Sequence, residues 1–507
     1  MTRLIRDGTH LCEMLGIGFS AEQTDAITAP WDRPGVIVAG AGSGKTTVMA
    51  ARVVWLVGHE EVPPGSILGL TFTRKAAAEL GRKVRDDLLA MADTETVLEL
   101  FDSFGEPTVA TYNAFAGTLI AEHGLRLGLE TDLQLTSDAT RFQRAARVIR
   151  RFRGPLPHIG VQLAETIVRV LALDGALSEH LVSPEQLRQH DADIVAIIDA
   201  LESPTAPLKK ARAAALERVD LSRLVEVYRE DKRLAGVMDF SDQMAGGARL
   251  AIERPEVGEM LRERFQAVML DEYQDTSVAQ RLMLQGLFAG GHPLTAVGDP
   301  AQAIYGWRGA SADNIARFHE HFPARDGSPG TVFGLRTSRR CHPDILDVAN
   351  RAAAPYYEAH PELAPLVAPD IEQERPAEIS AQLFGTITEE LQALIDGLVA
   401  ARQSRPQESI AVLVRTRAEM PALTAGLRAR GVDAEVVGLA GLLSLPHVND
   451  VVSLLEVVSD ATANPSMLRL LTGDRWRIGP RDLALLGRRA DALARGLAAP
   501  LDDSLRG

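Results

Sequence analysis

A glycine-rich turn between a predicted strand and a predicted helix constrains the fold of this chain more than any other feature. In the segment GVIVAGAGSGKTTVMAARVVWLV, the apolar run that ends at Ala39 indicates a buried strand, and the residues after Gly44 indicate a helix. Small residues in the turn let backbone N–H groups approach an anion closely, at the start of a helix whose dipole favours negative charge. This pattern predicts a phosphate-binding loop in an α/β protein.

Two side chains of the loop have a specific chemistry. Lys45 is placed to reach the β and γ phosphates of a nucleotide, and the Thr46 hydroxyl is placed to ligate Mg²⁺. Only six of the 54 basic residues are lysine, so a lysine at this position favours a phosphate site over a turn without ligand. The predicted ATP-binding residues of the loop are Ala39, Gly40, Ala41, Gly42, Ser43, Gly44, Lys45, Thr46 and Thr47.

Length and composition set broad limits. The 507 residues are enough for about three folding units. A net charge of −14 argues against a protein coated in basic surface, although nucleic acid binding needs only a local groove of positive potential. No apolar run approaches the roughly 18 residues of a membrane span, and the first residues lack an apolar secretion segment, so we expect a cytoplasmic protein with no membrane partner. Cys12 and Cys341 cannot form a zinc or iron–sulfur cage by themselves.

Further strand and helix pairs follow the loop. The segment ILGLTFTRKAAAELGRKVRDDLL predicts a strand over 67–72, a helix cap at Thr73 and then a helix. The segments FQAVMLDEYQDTS and HPLTAVGDPAQ predict two more strands, each ending in acidic or polar residues. Alternating strands and helices indicate a parallel sheet, whose ligands gather at the carboxyl ends of the strands.

The pattern changes twice along the chain. Residues 120–236 have the pattern of helices with polar or breaker-rich joins, which predicts a helical insertion in a first α/β domain formed by 1–119 and 237–330. A second α/β domain is predicted over 331–507, with ESIAVLVRTRAE as its clearest strand.

Carboxylates at the end of a predicted strand can supply the chemistry of hydrolysis. In VMLDEYQDT, Asp271 can lie near Mg²⁺ while Glu272 activates a water for in-line attack on the γ phosphate. Alone, this pair would indicate a solvated strand end, but together with the phosphate loop it indicates a catalytic site. In VGDPAQAIYGWRGA, Gln302 suits a strand end that faces a phosphate.

Several of these segments, in this order, resemble the motifs of the superfamily 1 UvrD-like DNA helicases. AGAGSGKTT resembles their phosphate loop, which accepts alanine at its first position, and DEYQDT and GDPAQAIYGWRGA resemble their second and third signatures. The resemblance runs nearly from end to end. It implies a P-loop RecA-like domain with a helical insertion, followed by a second, incomplete RecA-like domain. It also implies ATP and Mg²⁺ as cofactors, and single-stranded DNA and duplex junctions as partners.

The resemblance assigns roles outside the phosphate loop. FSAEQTDAI places Gln23 where the family reads adenine, and SRRCHPDILDVAN places Arg340 at the γ-phosphate contact. Arg339 stands where the family has a tyrosine that stacks on adenine, and a guanidinium plane can stack on a base too. The implied catalytic residues are Lys45, Asp271, Glu272, Gln302 and Arg340, with Thr46 and Asp271 as the metal ligands.

TFTRKAAAE and TYNAF resemble the single-strand DNA contacts of the family. Single strands bind through basic grooves and aromatic platforms on which bases stack, each platform worth about 1 to 3 kcal/mol. A stripe of arginines, at 141, 144, 147 and 151, suits either backbone phosphates or a solvated face paired with acidic neighbours. The predicted DNA-binding residues are Phe72, Thr73, Arg74, Thr111, Tyr112, Asn113, Tyr305, Trp307 and Arg308.

The chain departs from the family after RWRIGPRDLALLGRRA, where nothing resembles the last two motifs. We therefore expect the front half of a motor, which binds ATP·Mg²⁺ but hydrolyses it poorly and does not unwind duplex alone. The first functional hypothesis is an ATP-dependent DNA helicase and translocase that moves 3′ to 5′ in DNA repair or recombination. The alternative is a nucleotide- and DNA-binding motor fragment, or a partner protein subunit, that cannot unwind DNA alone. An unrelated P-loop phosphotransferase would not need Gln302 and Trp307 in one segment.

Overall fold

The computed structural model describes residues 3–130, 133–306, 309–311, 313–360, 363–369, 376–436, 446–460 and 463–494. The chain divides into two compact units, Met1–Glu378 and Ile379–Gly507. No helix within the described ranges is long and apolar enough to cross a membrane.

The secondary structure of the first unit alternates strands with helices. Its strands are β1 (Gly35–Ala39), β2 (Ile67–Thr71), β3 (Thr108–Thr111), β4 (Gln134–Leu135), β5 (Val237–Met238), β6 (Ala267–Leu270), β7 (Leu294–Gly298) and β8 (Thr331–Leu335). Its helices are α1 (Gly8–Leu15), α2 (Ala21–Thr28), α3 (Lys45–Gly58), α4 (Arg74–Leu89), α5 (Thr94–Phe104), α6 (Tyr112–His123), α7 (Asp138–Arg151), α8 (Leu163–Glu179), α9 (Pro184–Asp199), α10 (Ala206–Leu234), α11 (Phe240–Glu253), α12 (Pro255–Arg264), α13 (Val278–Phe288), α14 (Asp313–Ala316), α15 (Phe318–His321) and α16 (Pro343–Ala359).

A six-stranded parallel sheet forms the centre of this unit. Its strand order is β3-β2-β6-β7-β1-β8, and every neighbouring pair is parallel. Parallel pairing places the carboxyl ends of β6, β7 and β1 side by side at one edge. The predicted α/β class is confirmed, and the strands predicted near 36–39 and 67–72 form within one residue of those bounds.

Alternating side chains of the strands fill two cores. Along β1, Val36 packs into one apolar cluster and Ile37 into the other, and along β6 Val268 and Met269 divide in the same way. Because successive side chains of a strand point to opposite faces, the two clusters lie on the two faces of the sheet. Strands buried on both faces have nearly continuous apolar sequences, which is the pattern that predicted them.

The first unit extends further along the chain than the sequence pattern predicts. β8 pairs with β1 over its whole length, from Gly35↔Thr331 to Ala39↔Leu335. Residues 331–335 therefore complete the first sheet instead of opening a second domain, because their backbone hydrogen bonds are made with β1. The compact unit continues through α16 to Glu378.

Helices α7 to α10 occupy most of the predicted helical insertion, and Val170, Leu224 and Tyr228 lie in its own buried core. The two-residue strands β4 and β5 pair in parallel where the chain enters and leaves this region. The insertion thus starts and ends at neighbouring points of the sheet domain.

A buried lysine ties the insertion to the sheet domain. Nζ of Lys232 on α10 lies 2.7 Å from Asp174 on α8, 2.7 Å from Asp242 on α11 and 3.4 Å from Asp239, which caps α11. Burial lowers the pKa of Lys232, but the three carboxylates outweigh it and raise that pKa above its usual value. The ammonium also fills the space in which the three carboxylates could otherwise hold a metal ion.

The second unit consists of helices in its described part. These are α17 (Ile387–Ser404), α18 (Met420–Ala429), α19 (Pro446–Ser459), α20 (Asn464–Thr472) and α21 (Pro480–Ala494).

The prediction of a strand at ESIAVLVRTRAE is wrong, since residues 409–414 form no strand. Val412 and Val414 pack with Ile395 and Leu427 while Leu413 is exposed, an alternation typical of an extended chain. A strand also needs a neighbour to accept its hydrogen bonds, and the described part of this unit offers none.

The phosphate-loop helix is fixed to the sheet domain by a buried arginine. The Arg52 guanidinium, on α3, donates to the backbone carbonyls of Ala26, Ile27 and Ala29 at 3.1 Å each, and to Oγ1 of Thr295 on β7 at 3.1 Å. The side chain is buried, so these acceptors have little access to water.

We expect Arg52→Met to lower the free energy of unfolding by about 2 to 4 kcal/mol, because buried carbonyls lose their donor. Urea unfolding followed by circular dichroism measures the change. Arg52→Lys keeps a charge and some donors and should lose less. A loss no larger than that of Arg33→Met, at a half-exposed arginine, would contradict this role.

Candidate functional site

The predicted phosphate loop connects β1 to α3. Gly42 and Gly44 adopt the left-handed conformation, with φ of 77° and 87°. Within the loop, the Ser43 hydroxyl donates to the Gly40 carbonyl at 2.8 Å. No side chain in the described part of the chain caps the N-terminus of α3, so its first N–H groups are available to an anion.

A later segment of the chain packs directly on this loop. A Cβ at Gly42 would lie 2.6 Å from Cβ of Arg340 and 2.6 Å from Oγ of Ser338, so that position requires glycine. The backbone N–H of Arg339 donates to the Gly42 carbonyl at 2.9 Å. The structure therefore brings both arginines of the predicted ATP site to the loop.

The two arginines are exposed and differ in their contacts. Nη1 of Arg339 donates to the Gly18 carbonyl at 3.0 Å, which places its guanidinium near the segment before α2. The Cβ of Arg340 is held against Gly42.

Gln23 supports the loop from α2. Its Nε2 donates to the Ser43 carbonyl at 2.8 Å, and its Oε1 accepts from the Ser20 N–H at 3.0 Å. The side chain is buried, and both ends of its amide bond to backbone. This is a structural role that the sequence pattern did not predict, and adenine reading by Gln23 stays a prediction.

The two predicted catalytic side chains nearest the loop form an ion pair. Nζ of Lys45 lies 3.2 Å from Oε2 of Glu272, and Nε2 of Gln274 donates to the same oxygen at 2.8 Å. Glu272 has φ of 48°, a left-handed conformation that is uncommon for a non-glycine residue. Such strain occurs mainly where the surrounding structure holds a functional side chain in place.

Asp271 is the buried member of the carboxylate pair. Oγ1 of Thr71 on β2 donates to its Oδ2 at 3.1 Å. Burial, and then the negative charge of Glu272, raise the pKa of Asp271 to about 6. A cation beside this carboxylate would oppose both effects, which suits a metal ligand.

Gln274 links this pair to the next strand. Its Oε1 accepts from the Asp299 N–H at 3.0 Å, while Nε2 of Gln302 donates to Oδ2 of Asp299 at 2.6 Å. A continuous set of contacts therefore runs from Lys45 through Glu272, Gln274 and Asp299 to Gln302. The sequence pattern missed Gln274 and Asp299 as connectors, although both lie inside the quoted motifs.

A second connection leads to an aromatic pair. Burial raises the pKa of the Asp275 carboxylate, and the nearby backbone N–H groups of Ile304 and Tyr305 lower it. The rings of Tyr305 and Phe72 lie 4.8 Å apart at 34°, and both side chains are half-buried. Two of the predicted DNA-binding aromatics are thus brought together at the carboxyl end of β2.

Tyr112 is not available as a stacking platform. It is 1% exposed, and its hydroxyl donates to the Asp271 carbonyl at 3.1 Å. The predicted DNA role of Tyr112 is wrong in this structure because the ring packs into the core below the sheet edge and supports the backbone of Asp271 at the end of β6.

The other predicted DNA residues lie at the carboxyl ends of β2 and β3, which are neighbours. Thr73 and Thr111 cap α4 and α6 by accepting from the N–H groups of Ala76 and Ala114. These two caps present the starts of two helices at one sheet edge. Arg74 is exposed and Asn113 half-exposed there, whereas Trp307 and Arg308 lie outside the described residues.

Half of the arginine stripe on α7 pairs with acidic neighbours, and the other half is exposed and available to backbone phosphates. Arg141 lies 3.0 Å from Asp239, and Arg144 lies 2.9 Å from Asp231. These contacts favour the paired, structural alternative for half of the stripe. The arginines at 147 and 151 are exposed.

Comparison with known families matches two models to the chain. The UvrD/REP helicase N-terminal domain matches residues 19–323, and the UvrD-like helicase C-terminal domain matches residues 334–499. The first match contains the phosphate loop, the carboxylate pair and the segment that ends at Ala310.

Three individual relatives share about a quarter of their aligned residues with this chain. DNA helicase II of Haemophilus influenzae is 27% identical over 337 residues, which is 66% of this chain and 40% of the relative. DNA helicase II of Escherichia coli is 26% identical over 329 residues, 65% of this chain and 39% of the relative. ATP-dependent DNA helicase PcrA of Staphylococcus epidermidis (strain ATCC 35984) is 25% identical over 465 residues, 91% of this chain and 56% of the relative. The chain thus spans roughly half the length of these relatives or less.

The raised pKa of Asp271 has a consequence for stability. The folded state binds this proton more tightly than the unfolded state does, because the pKa is about 6 instead of the usual 3.8. Keeping the carboxylate ionised above pH 6 therefore costs folding free energy, and the cost disappears as the pH falls below both pKa values. We expect Asp271→Asn to stabilise the metal-free protein at pH 7.5, on the order of 1 to 3 kcal/mol.

Urea unfolding in the presence of EDTA at pH 7.5 and at pH 4.5 measures this gain. The difference between variant and wild type should shrink at pH 4.5, where Asp271 is largely protonated. Asp32→Asn, at an exposed carboxylate, is the matched control. A destabilised Asp271→Asn protein at pH 7.5 would contradict the prediction.

Proposed function

Because the chain belongs to the UvrD/REP helicase family, we propose that it acts as the ATP-driven motor of a DNA helicase, which couples ATP hydrolysis to movement along single-stranded DNA. The contacts from Lys45 through Glu272 and Gln274 to Asp299 carry the proposal. They join the phosphate loop to the segment that bears Tyr305, and a protein that only bound a nucleotide would not need that connection.

The loop and its neighbours would bind the triphosphate of ATP. N–H groups at the start of α3 face the phosphates, and Lys45 contacts the β and γ oxygens. Oγ of Ser338 would donate a further hydrogen bond to the phosphates. It is buried beside Gly42 and has no hydrogen-bond partner within the described part of the chain. Arg340 contacts the γ phosphate, and Arg339 and Gln23 lie on the adenine side.

The ion pair between Lys45 and Glu272 supplies a gate for hydrolysis. When Lys45 turns to the phosphates, Oε2 of Glu272 loses one of its two donors. The freed oxygen can then accept a proton from the water that attacks the γ phosphorus, as the bond to the β–γ bridging oxygen breaks. Gln302, held by Asp299, contacts the γ phosphate, so that its position and that of the following residues, including Tyr305, depend on whether the γ phosphate is present.

Thr46 and Asp271 would hold Mg²⁺. A hydroxyl and a carboxylate are the hard oxygen ligands that this ion prefers, and the raised pKa of Asp271 fits a carboxylate whose cation is part of the working site. The ion, when bound, neutralises charge on the β and γ phosphates.

Single-stranded DNA would cross the carboxyl ends of β2 and β3. Tyr305 and Phe72 offer stacking surfaces, and Arg74 and Asn113 offer polar contacts to the backbone. Trp307 and Arg308 join this set on the basis of their sequence. The remaining parts of the proposal rest on the family alone. They are movement from 3′ to 5′, a role in DNA repair or recombination, action at duplex junctions and a partner subunit.

Glu272→Gln should lower DNA-stimulated ATP hydrolysis at least about 100-fold because it removes the proton acceptor, while ATP·Mg²⁺ still binds. Lys45→Ala should weaken nucleotide binding itself. A coupled ATPase assay with and without single-stranded DNA, and fluorescence titration of a labelled ATP, measure the two effects. Lys209→Ala, at an exposed lysine on α10, is the control.

The same variants separate the two functional hypotheses. Duplex unwinding by the wild-type chain that is lost in Glu272→Gln would reject the motor-fragment alternative. Binding of ATP and DNA without unwinding would support that alternative. A chain that binds no nucleotide would contradict both hypotheses.

Tyr305→Ala should weaken single-stranded DNA binding by about 5- to 100-fold, equivalent to one lost stacking platform, and leave ATP affinity nearly unchanged. Trp307→Ala should behave in the same way. Fluorescence anisotropy of a labelled oligonucleotide measures the DNA affinity. Phe142→Ala, at an exposed ring on α7, is the control. Equal losses of DNA and ATP affinity in Tyr305→Ala would count against the assignment.

A further inference from the structure

Residues 336–340 leave the central sheet after β8 and run past the phosphate loop. They form no helix or strand, so their backbone groups need partners outside the sheet. A later part of the chain supplies two of these partners. The Arg336 carbonyl accepts from the Val367 N–H at 3.0 Å, and the Ser338 N–H donates to the Val367 carbonyl at 2.8 Å. Val367 therefore pairs in parallel with the residues that lead to Arg340.

The residues around Val367 also contact the phosphate loop directly. We call residues 363–369 the covering segment. A Cβ at Gly40 would overlap Cδ2 of Leu366, so the Leu366 side chain lies against the first glycine of the loop. The covering segment thus meets the loop through Leu366, and it meets residues 336–338 through the backbone of Val367.

One side chain on α16 holds the covering segment. Nδ2 of Asn350 donates to the Leu366 carbonyl at 2.8 Å, and Oδ1 of Asn350 accepts from the Leu366 N–H at 3.1 Å. An amide has both a donor and an acceptor, so it can bond the two backbone groups of one residue as a neighbouring strand would. An ionised aspartate in the same place would have no donor for the carbonyl.

The backbone that is paired with Val367 carries a hydroxyl without a partner. Oγ of Ser338 is fully buried, and it makes no hydrogen bond to any of the described residues. A buried hydroxyl without a partner is costly, which fits a group that a ligand completes. Cβ of Arg340 and Oγ of Ser338 would both lie 2.6 Å from a Cβ at Gly42, so the two side chains start from the same point above the loop.

We propose that Asn350 is a positioning residue for recognition of the γ phosphate. It holds the covering segment, the covering segment pairs with residues 336–338, and that pairing sets Ser338 and Arg340 against the loop. The inference rests on the proposed function, because it takes Arg340 as the γ-phosphate contact and assigns the Ser338 hydroxyl to the same phosphate. ADP lacks this phosphate, so Asn350 should affect the binding of ATP far more than that of ADP.

The test compares the two nucleotides. Calorimetric titrations of the full chain in Mg²⁺ with ADP, and with the non-hydrolysable analogue AMP-PNP, give two Kd values and their ratio, Kd for ADP divided by Kd for AMP-PNP. Asn350→Ala should lower this ratio at least about fivefold, because hydrogen bonds to a charged phosphate are weakened, while the Kd for ADP stays within about twofold of wild type. Ser338→Ala combined with Arg340→Ala should lower the ratio at least as much.

A second variant tests the hydrogen bonds themselves. Asn350→Asp keeps the shape of the side chain and its acceptor but loses the donor to the Leu366 carbonyl, so it should lower the ratio as well. Arg351→Ala, at the next residue of α16, is the control and should keep the wild-type ratio, since this side chain is exposed and pairs only with Asp347 on the same helix.

A double-mutant cycle tests whether Asn350 acts through the two phosphate contacts. In the background of Ser338→Ala and Arg340→Ala, the further change Asn350→Ala should alter the ratio by less than about twofold, because the residues that it positions are already removed. An undiminished effect in this background would overturn the proposal. A purely structural role would instead weaken the binding of ADP and of AMP-PNP equally.

The outcomes separate this inference from the proposed function. A wild-type chain that binds neither nucleotide would reject the proposed function, and this inference with it. An unchanged ratio in the Ser338→Ala and Arg340→Ala protein would reject the assigned γ-phosphate contacts. A ratio that falls in that protein but not in Asn350→Ala would overturn the role of Asn350 alone. Equal losses for the two nucleotides in Asn350→Ala, or failure of both Asn350 variants to fold, would overturn it too.

Discussion

The parallel arrangement of β6, β7 and β1 is the constraint on which the candidate site depends. These three neighbouring strands end at one edge, and the chain places the carboxylate pair, Asp299 and the phosphate loop directly after them. Lys45 and Glu272 are 227 residues apart in sequence, yet their side chains meet at 3.2 Å. A shift of β6 by one residue would turn its side chains to the opposite faces and would break that contact.

The site carries costs that the two cores must offset. Asp271 is ionised in a buried environment that opposes its charge, and Glu272 holds a left-handed backbone conformation. Both features disfavour folding, as expected of a functional site on a stable scaffold, and both position oxygens for the proposed chemistry. Tyr112 belongs to this support: its ring fills the core, and its hydroxyl holds the backbone of Asp271 in place.

A buried lysine joins the helical insertion to the sheet domain. Lys232 on α10 pairs with Asp174 on α8 and with Asp239 and Asp242 at the start of α11. These ion pairs anchor the insertion to the sheet domain.

The sequence by itself determined the phosphate loop, the apolar strands, the helix cap at Thr73 and the identity of Lys45, Asp271 and Glu272 as candidates. These features are local, because a glycine turn, an apolar run or a capping threonine acts on neighbouring residues. Tertiary structure alone decided that β8 completes the first sheet, that Tyr112 is buried, and that Gln274 is a connector. Each of those outcomes depends on which distant segments pack together, and a pattern of neighbouring residues contains no record of such contacts.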